Sequence, residues 1–397
     1  MRLRVRTNVG ILTTGRADYF PLRSVVRACL AHEAIDARVY VCGGHFGGAG
    51  GETFSLVASD FGEHAVAIAT NLESDRADAV VKSCGVAMIT LAQALSVDRP
   101  DVLLLLGDRF ETLAAGFAAV QLGLPLAHLH GGELSEGSLD DSFRHALTKL
   151  AHLHFVAAEP FAERVRQLGE EDWRVHVVGA PGLDDLRERP RRDRASVASA
   201  IDAPLGPRTI LLTLHPETVD AFDGAGAVAT VRAAVATEDL DVVVTAPNQD
   251  KGGAAILSAV VAWAADDPRV HFRPTLGDAY LDVLAQVGAV VGNSSSGVIE
   301  AASTPVPVVN LGRRQDGRLK PPNVLDAPFE ASTIRAVLRR ALSQDFRGAL
   351  EGMSNPYGDG RASERIAELL ARLPAEERLL SKKFIDRPSA GLRGESS

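Results

Sequence analysis

Asp101-Val102-Leu103-Leu104-Leu105-Leu106-Gly107-Asp108-Arg109-Phe110-Glu111 decides the fold. Five unbroken apolar residues are too short for a helix and too continuous for a half-exposed strand. They read as a strand buried on both faces of a parallel sheet. Helical spacing follows from Phe110 to Leu122. Outward from this unit the alternation repeats, with strands expected at Thr7–Thr13, Ala37–Cys42, Pro125–Leu129, His154–Ala157 and Val175–Val178. Helical segments are expected at Leu22–Ala31 and Asp78–Ser96. That pattern is βαβ, and it predicts an α/β, doubly wound, Rossmann-like domain over residues 1–186.

The run Arg187-Glu188-Arg189-Pro190-Arg191-Arg192-Asp193-Arg194 is almost wholly charged, and two prolines and a glycine follow between Ala203 and Pro207. It reads as a solvated linker over 187–208. Strands then restart at Thr209–Leu214, Asp241–Ala246, Val270–Arg273, Ala289–Gly292 and Val306–Leu311, giving a second Rossmann-like domain over 209–361. The remainder, 362–397, has helical spacing from Ala362 to Leu373 and is expected to pack back on the first domain.

The 397 residues are 46% apolar and 23% charged, as in ordinary globular proteins. Lys plus Arg at 42 against Asp plus Glu at 51 gives a net charge of -9. This opposes a broad grip on nucleic acid or an anionic membrane, so an anionic ligand must be held locally. Three cysteines (Cys29, Cys42, Cys84) suit neither a disulfide framework nor a zinc site, and fit a reducing cytoplasm. The charged start Met1–Arg6 resembles a signal peptide, but the apolar run after it stops at Thr13-Thr14-Gly15-Arg16, as a first strand would. No apolar stretch reaches roughly 18 residues. The nearest, Gly85–Leu95, contains Thr90 and Gln93. A soluble cytoplasmic protein with no membrane or nucleic-acid partner is expected.

Ligands of open parallel sheets collect beyond the carboxyl ends of the strands, so four turns carry the functional reading. In Thr13-Thr14-Gly15-Arg16-Ala17-Asp18-Tyr19 a helix N-terminus beside Arg16 would make an anion seat. In Gly107-Asp108-Arg109-Phe110-Glu111, Asp108 is placed either to cap the next helix or to act on a ligand. The third turn, His128-Leu129-His130-Gly131-Gly132-Glu133, leads to a helix near Asp140 that carries Arg144 and His145. His128 and His130 are expected on one strand face. No further ligands close a metal set, and no metal is expected. Gly292-Asn293-Ser294-Ser295-Ser296-Gly297, before a helix containing Glu300, is a turn of small donors suited to phosphate oxygens. It matches neither a nucleophile elbow nor a nucleotide-triphosphatase loop. The residues together suggest a nucleotide-sugar enzyme whose nucleoside diphosphate rests on the second domain while its sugar faces Asp108, His130, Glu133 and Asp140.

These motifs, with Asp140-Asp141-Ser142-Phe143-Arg144-His145, His215-Pro216-Glu217-Thr218, Asn310-Leu311-Gly312-Arg313-Arg314-Gln315 and Asn355-Pro356-Tyr357-Gly358-Asp359-Gly360, resemble the hydrolysing UDP-N-acetylglucosamine 2-epimerases. The likeness is to the branch that feeds sialic-acid-type sugars. It implies two Rossmann-like domains of the glycosyltransferase-B type around one cleft. It also implies anti elimination of the nucleoside diphosphate to a 2-acetamidoglucal, followed by hydration to N-acetylmannosamine, with no cofactor.

Residue by residue, the resemblance makes Arg16 a phosphate ligand, Asp108 and Asp140 catalytic carboxylates, and His215 a neighbour of the diphosphate. Ser294 and Ser295 bind phosphate with Ser296, Gly297 and Arg314 beside them, and Glu300 holds the ribose. Glu133 and Arg144 complete the catalytic set. His130 stands where many relatives carry an acid, so the C2 base is left among His130, Asp108 and Asp140. The preferred reading is Asp108 with Asp140, His130 assisting and Glu133 in reserve. UDP is the expected nucleotide and a homodimer or homotetramer the expected assembly. The alternatives are a GDP-linked or 2,4-diacetamido sugar substrate, a glycosyltransferase of the same fold, and an inactive sugar-nucleotide sensor.

Overall fold

Apolar runs buried on both faces build two parallel sheets. The computed structural model describes residues 6–47, 53–70, 77–136, 138–188, 190–217, 222–248 and 252–387. Of the features above, Met1–Val5, Arg189, Thr218 and the tail from 388 lie outside the described residues. The first sheet comprises β1 (Thr7–Thr13), β2 (Ile35–Val41), β3 (Ala65–Ala67), β4 (Val102–Leu106), β5 (Leu126–Leu129), β6 (Leu153–Val156) and β7 (Val175–Val177), in the order β3-β2-β1-β4-β5-β6-β7. The second comprises β8 (Thr209–Thr213), β9 (Asp241–Val244), β10 (Val270–Phe272), β11 (Ala289–Gly292), β12 (Val308–Leu311) and β13 (Val324–Ala327), in the order β10-β9-β8-β11-β12-β13.

Strand order reverses between β1 and β4 in one sheet and between β8 and β11 in the other. In register, Val9 pairs with Val102 and Ile11 with Leu104, while Leu211 pairs with Val290 and Thr213 with Gly292. A crevice opens at the carboxyl end of each such pair. The turns carrying Arg16, Asp108, His215 and Ser294 all leave from these four strand ends.

The structure departs from the sequence reading in several places. Edge strands β3 and β13 were not anticipated, being three and four residues long and only partly buried. The first helix runs Arg16–Ala31, starting before Pro21, because the Asp18 carboxylate receives N–H groups at its N-terminus. No α-helix follows the Ser294 turn. Two short 3-10 turns, Ser295–Gly297 and Ala301–Ser303, flank Glu300 instead. The charged run is not simply solvated, since Asp193 caps a helix Arg194–Ile201 that buries Val197 and Ile201 in the second sheet's core.

The helix Ala77–Val97 is longer and more apolar than the sequence run suggested, because Thr90 and Gln93 barely interrupt it. By length and composition alone, Asp78–Val97 is long and apolar enough to cross a membrane. Ala87, Leu91 and Leu95 pack it onto Leu103 and Leu105 of β4, while Val81, Ile89 and Val97 face outward.

The helix Ala362–Leu370 returns to the first sheet. Its Ala362, Ile366, Ala367 and Leu370 join the core around β1 and β2, and the N–H groups of Ala362 and Ser363 bond to Asp184. Beyond it, the buried guanidinium of Arg174 donates to the carbonyls of Arg378, Leu379 and Ser381, and Lys382 bonds to Glu170. Residues 378–382 are thereby fastened to the segment between β6 and β7.

Candidate active site

At the end of β1, Asp18 accepts from Thr13 Oγ1 at 2.8 Å, Thr14 N at 2.8 Å and Gly15 N at 3.1 Å. The N-terminus of the first helix therefore already holds a carboxylate of its own. The N–H groups this carboxylate takes are those of Thr14 and Gly15, just before the helix, and the first residue of the helix to line the cleft is Arg16. Its Nη1 crosses the cleft to the Pro274 carbonyl at 2.8 Å.

At the end of β4, Asp108 does not cap the following helix, whose N-cap is Arg109. It pairs instead with Arg144 Nη2. Arg144 comes from the helix Asp140–Leu150 and is almost wholly buried. Burial disfavours its cation, but Asp108, Glu133 and Asp141 outweigh that and hold its pKa above the ordinary value. Asp108 is thus pinned by a permanent positive charge, and Asp140 opens the helix at the same wall of the cleft.

At the end of β5 the expected strand face does not form. His128 is fully buried, with Nε2 on the Gly107 carbonyl at 2.8 Å. His130 lies past the strand at φ 62, a left-handed conformation that a histidine adopts only where its surroundings enforce it. Gly132, at φ 76, explains the turn's shape, since a Cβ there would overlap the Phe161 carbonyl.

His130 Nδ1 stands 2.5 Å from Glu133 Oε1. Burial alone would raise the Glu133 pKa, but His130 and Arg318 bring it down to about 2. An ionised carboxylate only accepts, so His130 Nδ1 is the donor in this bond and Nε2 is the ring nitrogen left outside it.

At the end of β8 and β11, Gly292 at φ 132 lets the chain pass where a Cβ would overlap the Thr213 carbonyl. Asn293 then clamps His215: its Oδ1 accepts from His215 N at 2.7 Å and its Nδ2 donates to His215 O at 2.9 Å. His215 Nδ1 accepts from Asn248 N at 3.0 Å. Burial, reinforced by Arg314 and Arg16, holds its pKa well below the usual value. His215 is therefore a neutral imidazole with its proton on Nε2, a donor suited to a phosphate oxygen. Arg314 Nη1 donates to the Asn293 carbonyl at 3.1 Å, and Ser296 Oγ meets the Tyr280 hydroxyl. Glu300 is pushed upward by burial, and its Oε2 is buried with no hydrogen-bond partner.

These groups line one cleft of about 300 Å³ between the sheets. Arg16, Asp108, His130, Glu133, Asp140, Arg144, His215, Ser294, Ser295, Ser296, Glu300 and Arg314 all reach its wall. Gly297 does not: it is buried beneath the turn, facing Val308 and Val290. Sequence reasoning missed Tyr280 and Arg318, both of which line the cleft. The signal for Arg318 was the continuation Gln315-Asp316-Gly317-Arg318 of a basic run after β12, three residues past the quoted motif.

Two parallel sheets whose switch points face one cleft define a two-domain α/β protein of the glycosyltransferase-B type. Solved structures agree. The UDP-GlcNAc 2-epimerase from Neisseria meningitidis bound to UDP-GlcNAc superposes with a TM-score of 0.74, covering 91% of this chain and 99% of that one at 16% identity. The enzyme from Methanocaldococcus jannaschii with UDP-GlcNAc and UDP gives 0.74, 91% and 99% at 14% identity.

The family profile described as UDP-N-acetylglucosamine 2-epimerase matches residues 27–371, and the chain belongs to that family of enzymes. The UDP-N,N'-diacetylbacillosamine 2-epimerase (hydrolyzing) of Legionella pneumophila is 36% identical over 94% of this chain and 98% of its own length. The GDP/UDP-N,N'-diacetylbacillosamine 2-epimerase (hydrolyzing) of Campylobacter jejuni is 27% identical over 96% and 99%. The UDP-N-acetylglucosamine 2-epimerase of Neisseria meningitidis is 28% identical over 94% and 98%.

Proposed function

We propose that the protein is a hydrolysing 2-epimerase of UDP-linked 2-acetamido sugars, releasing the free 2-epimeric sugar and UDP. The observation that carries this reading is the opposition of two chemistries across the cleft. Asp108, His130 and Asp140 stand on the first sheet, and the Ser294–Ser296 turn with His215 and Arg314 stands on the second.

The diphosphate would take N–H and O–H donors from Ser294, Ser295 and the neutral His215, and positive charge from Arg16 and Arg314. Glu300, with its unpartnered Oε2, would accept from the ribose. The sugar then faces the carboxylates. The C2 proton is not acidic on its own. It can leave only as the C1–O bond breaks and C1 gains positive charge, which nearby carboxylates stabilise. In this reading UDP departs with the C1–O electron pair, a base takes the C2 proton, and the C1–C2 double bond forms. Water then adds its oxygen at C1 and C2 is reprotonated from the other face. Asp108, fixed by Arg144, is the preferred base, with Asp140 beside it and His130 Nε2 relaying protons.

The first substrate proposed is UDP-N-acetylglucosamine, giving N-acetylmannosamine. A 2,4-diacetamido sugar nucleotide is the second, favoured by the name of the Legionella relative at 36% identity against 28% for the Neisseria enzyme. Cytoplasmic action is proposed with it, supported by the three free cysteines, and so is a homodimer or homotetramer, supported by the outward Val81, Ile89 and Val97 of the helix Ala77–Val97. The test is a panel of UDP- and GDP-linked 2-acetamido and 2,4-diacetamido sugars supplied without acceptor. Release of free sugar and nucleoside diphosphate supports the reading. Turnover only after an acceptor is added makes the protein a glycosyltransferase, and binding without turnover makes it a sensor.

A further inference from the structure

Arg318 belongs to the second sheet's loop after β12, yet its guanidinium is buried in the wall of the first. Its Nη1 lies 3.2 Å from Glu133 Oε2, and its Nη2 donates to Ser135 Oγ at 3.2 Å. Both side chains of the ion pair are nearly inaccessible, Arg318 at 9% and Glu133 at 1%. The approach is built into the backbone. Gly317, at φ 81, sits where a Cβ would collide with Leu134, so the two loops meet main chain to side chain. Glu133 is in turn the carboxylate that fixes His130 Nδ1 at 2.5 Å. Ser135 Oγ also accepts from Arg144 Nη2 at 3.2 Å, and Arg144 holds Asp108. A single chain of polar contacts therefore runs from Asp108 through Arg144, Ser135, Arg318 and Glu133 to His130, and its one member from the second sheet is Arg318.

We propose that Arg318 is a positioning residue, acting through Glu133 to set the His130 imidazole against the sugar and tying that setting to the apposition of the two sheets. This rests on the 2-epimerase reading for its activity arm. The physical reason is the charge balance around His130. Glu133 and Glu300 are the acidic groups that interact with it and Arg144 and Arg318 the cations around Glu133, with Asp108 and Asp140 on the same wall of the cleft. With Arg318 absent, Glu133 keeps its burial but loses one of the two partners that hold it in place. A buried carboxylate left half-compensated reorients toward whatever donor remains, and the imidazole it fixes turns with it. Arg318 has no need to touch the nucleotide for this, because its guanidinium is spent on Glu133 and Ser135 while Arg314 of the same loop turns to the Asn293 carbonyl beside the serine turn.

The experiment is a cycle of wild type, Arg318→Ala, Glu133→Gln and the double variant, with Arg318→Lys as the conservative control. Arg318→Ala is expected to lower kcat about 10- to 100-fold while the Kd for UDP stays within about twofold, and Lys is expected to restore part of kcat. In the Glu133→Gln background, Arg318→Ala is expected to add less than about threefold, because its route to His130 is already cut. Equal, multiplicative losses in both backgrounds overturn the proposal. So does a weakened UDP affinity with kcat unchanged, which makes Arg318 a nucleotide ligand.

A second readout needs no turnover. The His130 Nδ1 proton, in so short a bond to a carboxylate, should give a proton resonance far downfield in the folded protein, absent from His130→Asn. Arg318→Ala should move that resonance and Arg318→Lys should return it part of the way. A resonance unchanged in Arg318→Ala overturns the proposal even if no tested sugar nucleotide is a substrate, an outcome that by itself would sink only the 2-epimerase reading.

Discussion

Asn293 and His215 hold each other by two hydrogen bonds, the side-chain oxygen of Asn293 on the His215 N–H at 2.7 Å and its side-chain nitrogen on the His215 carbonyl at 2.9 Å. The pair locks the turn after β8 to the turn after β11, so one phosphate donor, His215, and the serine turn keep a fixed spacing. Both residues are buried. Asn293→Ala would strand a buried N–H and C=O, at about 1–3 kcal/mol each before relaxation. We expect a lowered urea midpoint and about tenfold or more weaker UDP binding by calorimetry. Unchanged affinity would show that the clamp does not organise the phosphate turn.

Asp108 is placed by Arg144, and removing its charge should separate chemistry from binding. Asp108→Asn is expected to cut kcat by roughly 10²- to 10⁴-fold, the usual contribution of a general acid or base. UDP affinity should stay near wild type because the nucleotide rests on the other sheet. Loss of both together would mean that Asp108 supports the fold of the cleft and not the reaction.

Several buried histidines set the pH dependence of stability. His128 is brought down to about 3 and His152 to about 4, in both cases chiefly by burial. A folded value below the unfolded 6.5 means that the unfolded chain binds more protons, so the stabilisation is full above about pH 6.5 and is lost as pH falls toward the folded values. Glu133 and Glu170, both held near 2 against an ordinary 4.5, extend the same loss from about pH 4.5 to pH 2. Urea midpoints should be flat from pH 8 to 7 and then fall steadily on acidification. A midpoint that rises between pH 7 and 5 would contradict this assignment.

Residues 378–381 are held by Arg174, whose guanidinium meets three of their carbonyls, and by Trp173, whose ring packs against the guanidinium groups of Arg174 and Arg378. Arg174→Ala should release this segment, with faster proteolytic cleavage beyond about residue 373 and a cost on the order of 3 kcal/mol in stability. Cleavage kinetics equal to wild type would place the anchoring elsewhere, in the Lys382–Glu170 pair.

The sequence made much of this visible and hid the rest for physical reasons. Val102–Leu106 is apolar on both faces and reads as a buried central strand, and from it the βαβ alternation of the first domain followed. β13 was hidden because Val324-Leu325-Asp326-Ala327 lies at an edge, where one side is solvated and the apolar signal is halved. Asp108 read equally well as a helix cap, and only the arrival of Arg144, 36 positions on, decides against it. His130 looked like a strand residue by spacing, whereas its positive φ comes from the glycine turn that follows. Arg318 showed locally only as the continuation of a basic run, since its partner is 185 residues away in sequence, a contact made by the apposition of the two sheets.

The central claim is that the C2 proton is removed and replaced during release of the sugar. The direct measurement is turnover of the accepted UDP-2-acetamido sugar in heavy water, with the released sugar examined by mass spectrometry and NMR. The account predicts one solvent deuterium at C2 and inverted configuration there. A released sugar that keeps its original hydrogen and configuration at C2 would contradict elimination and leave simple glycosidic hydrolysis in its place.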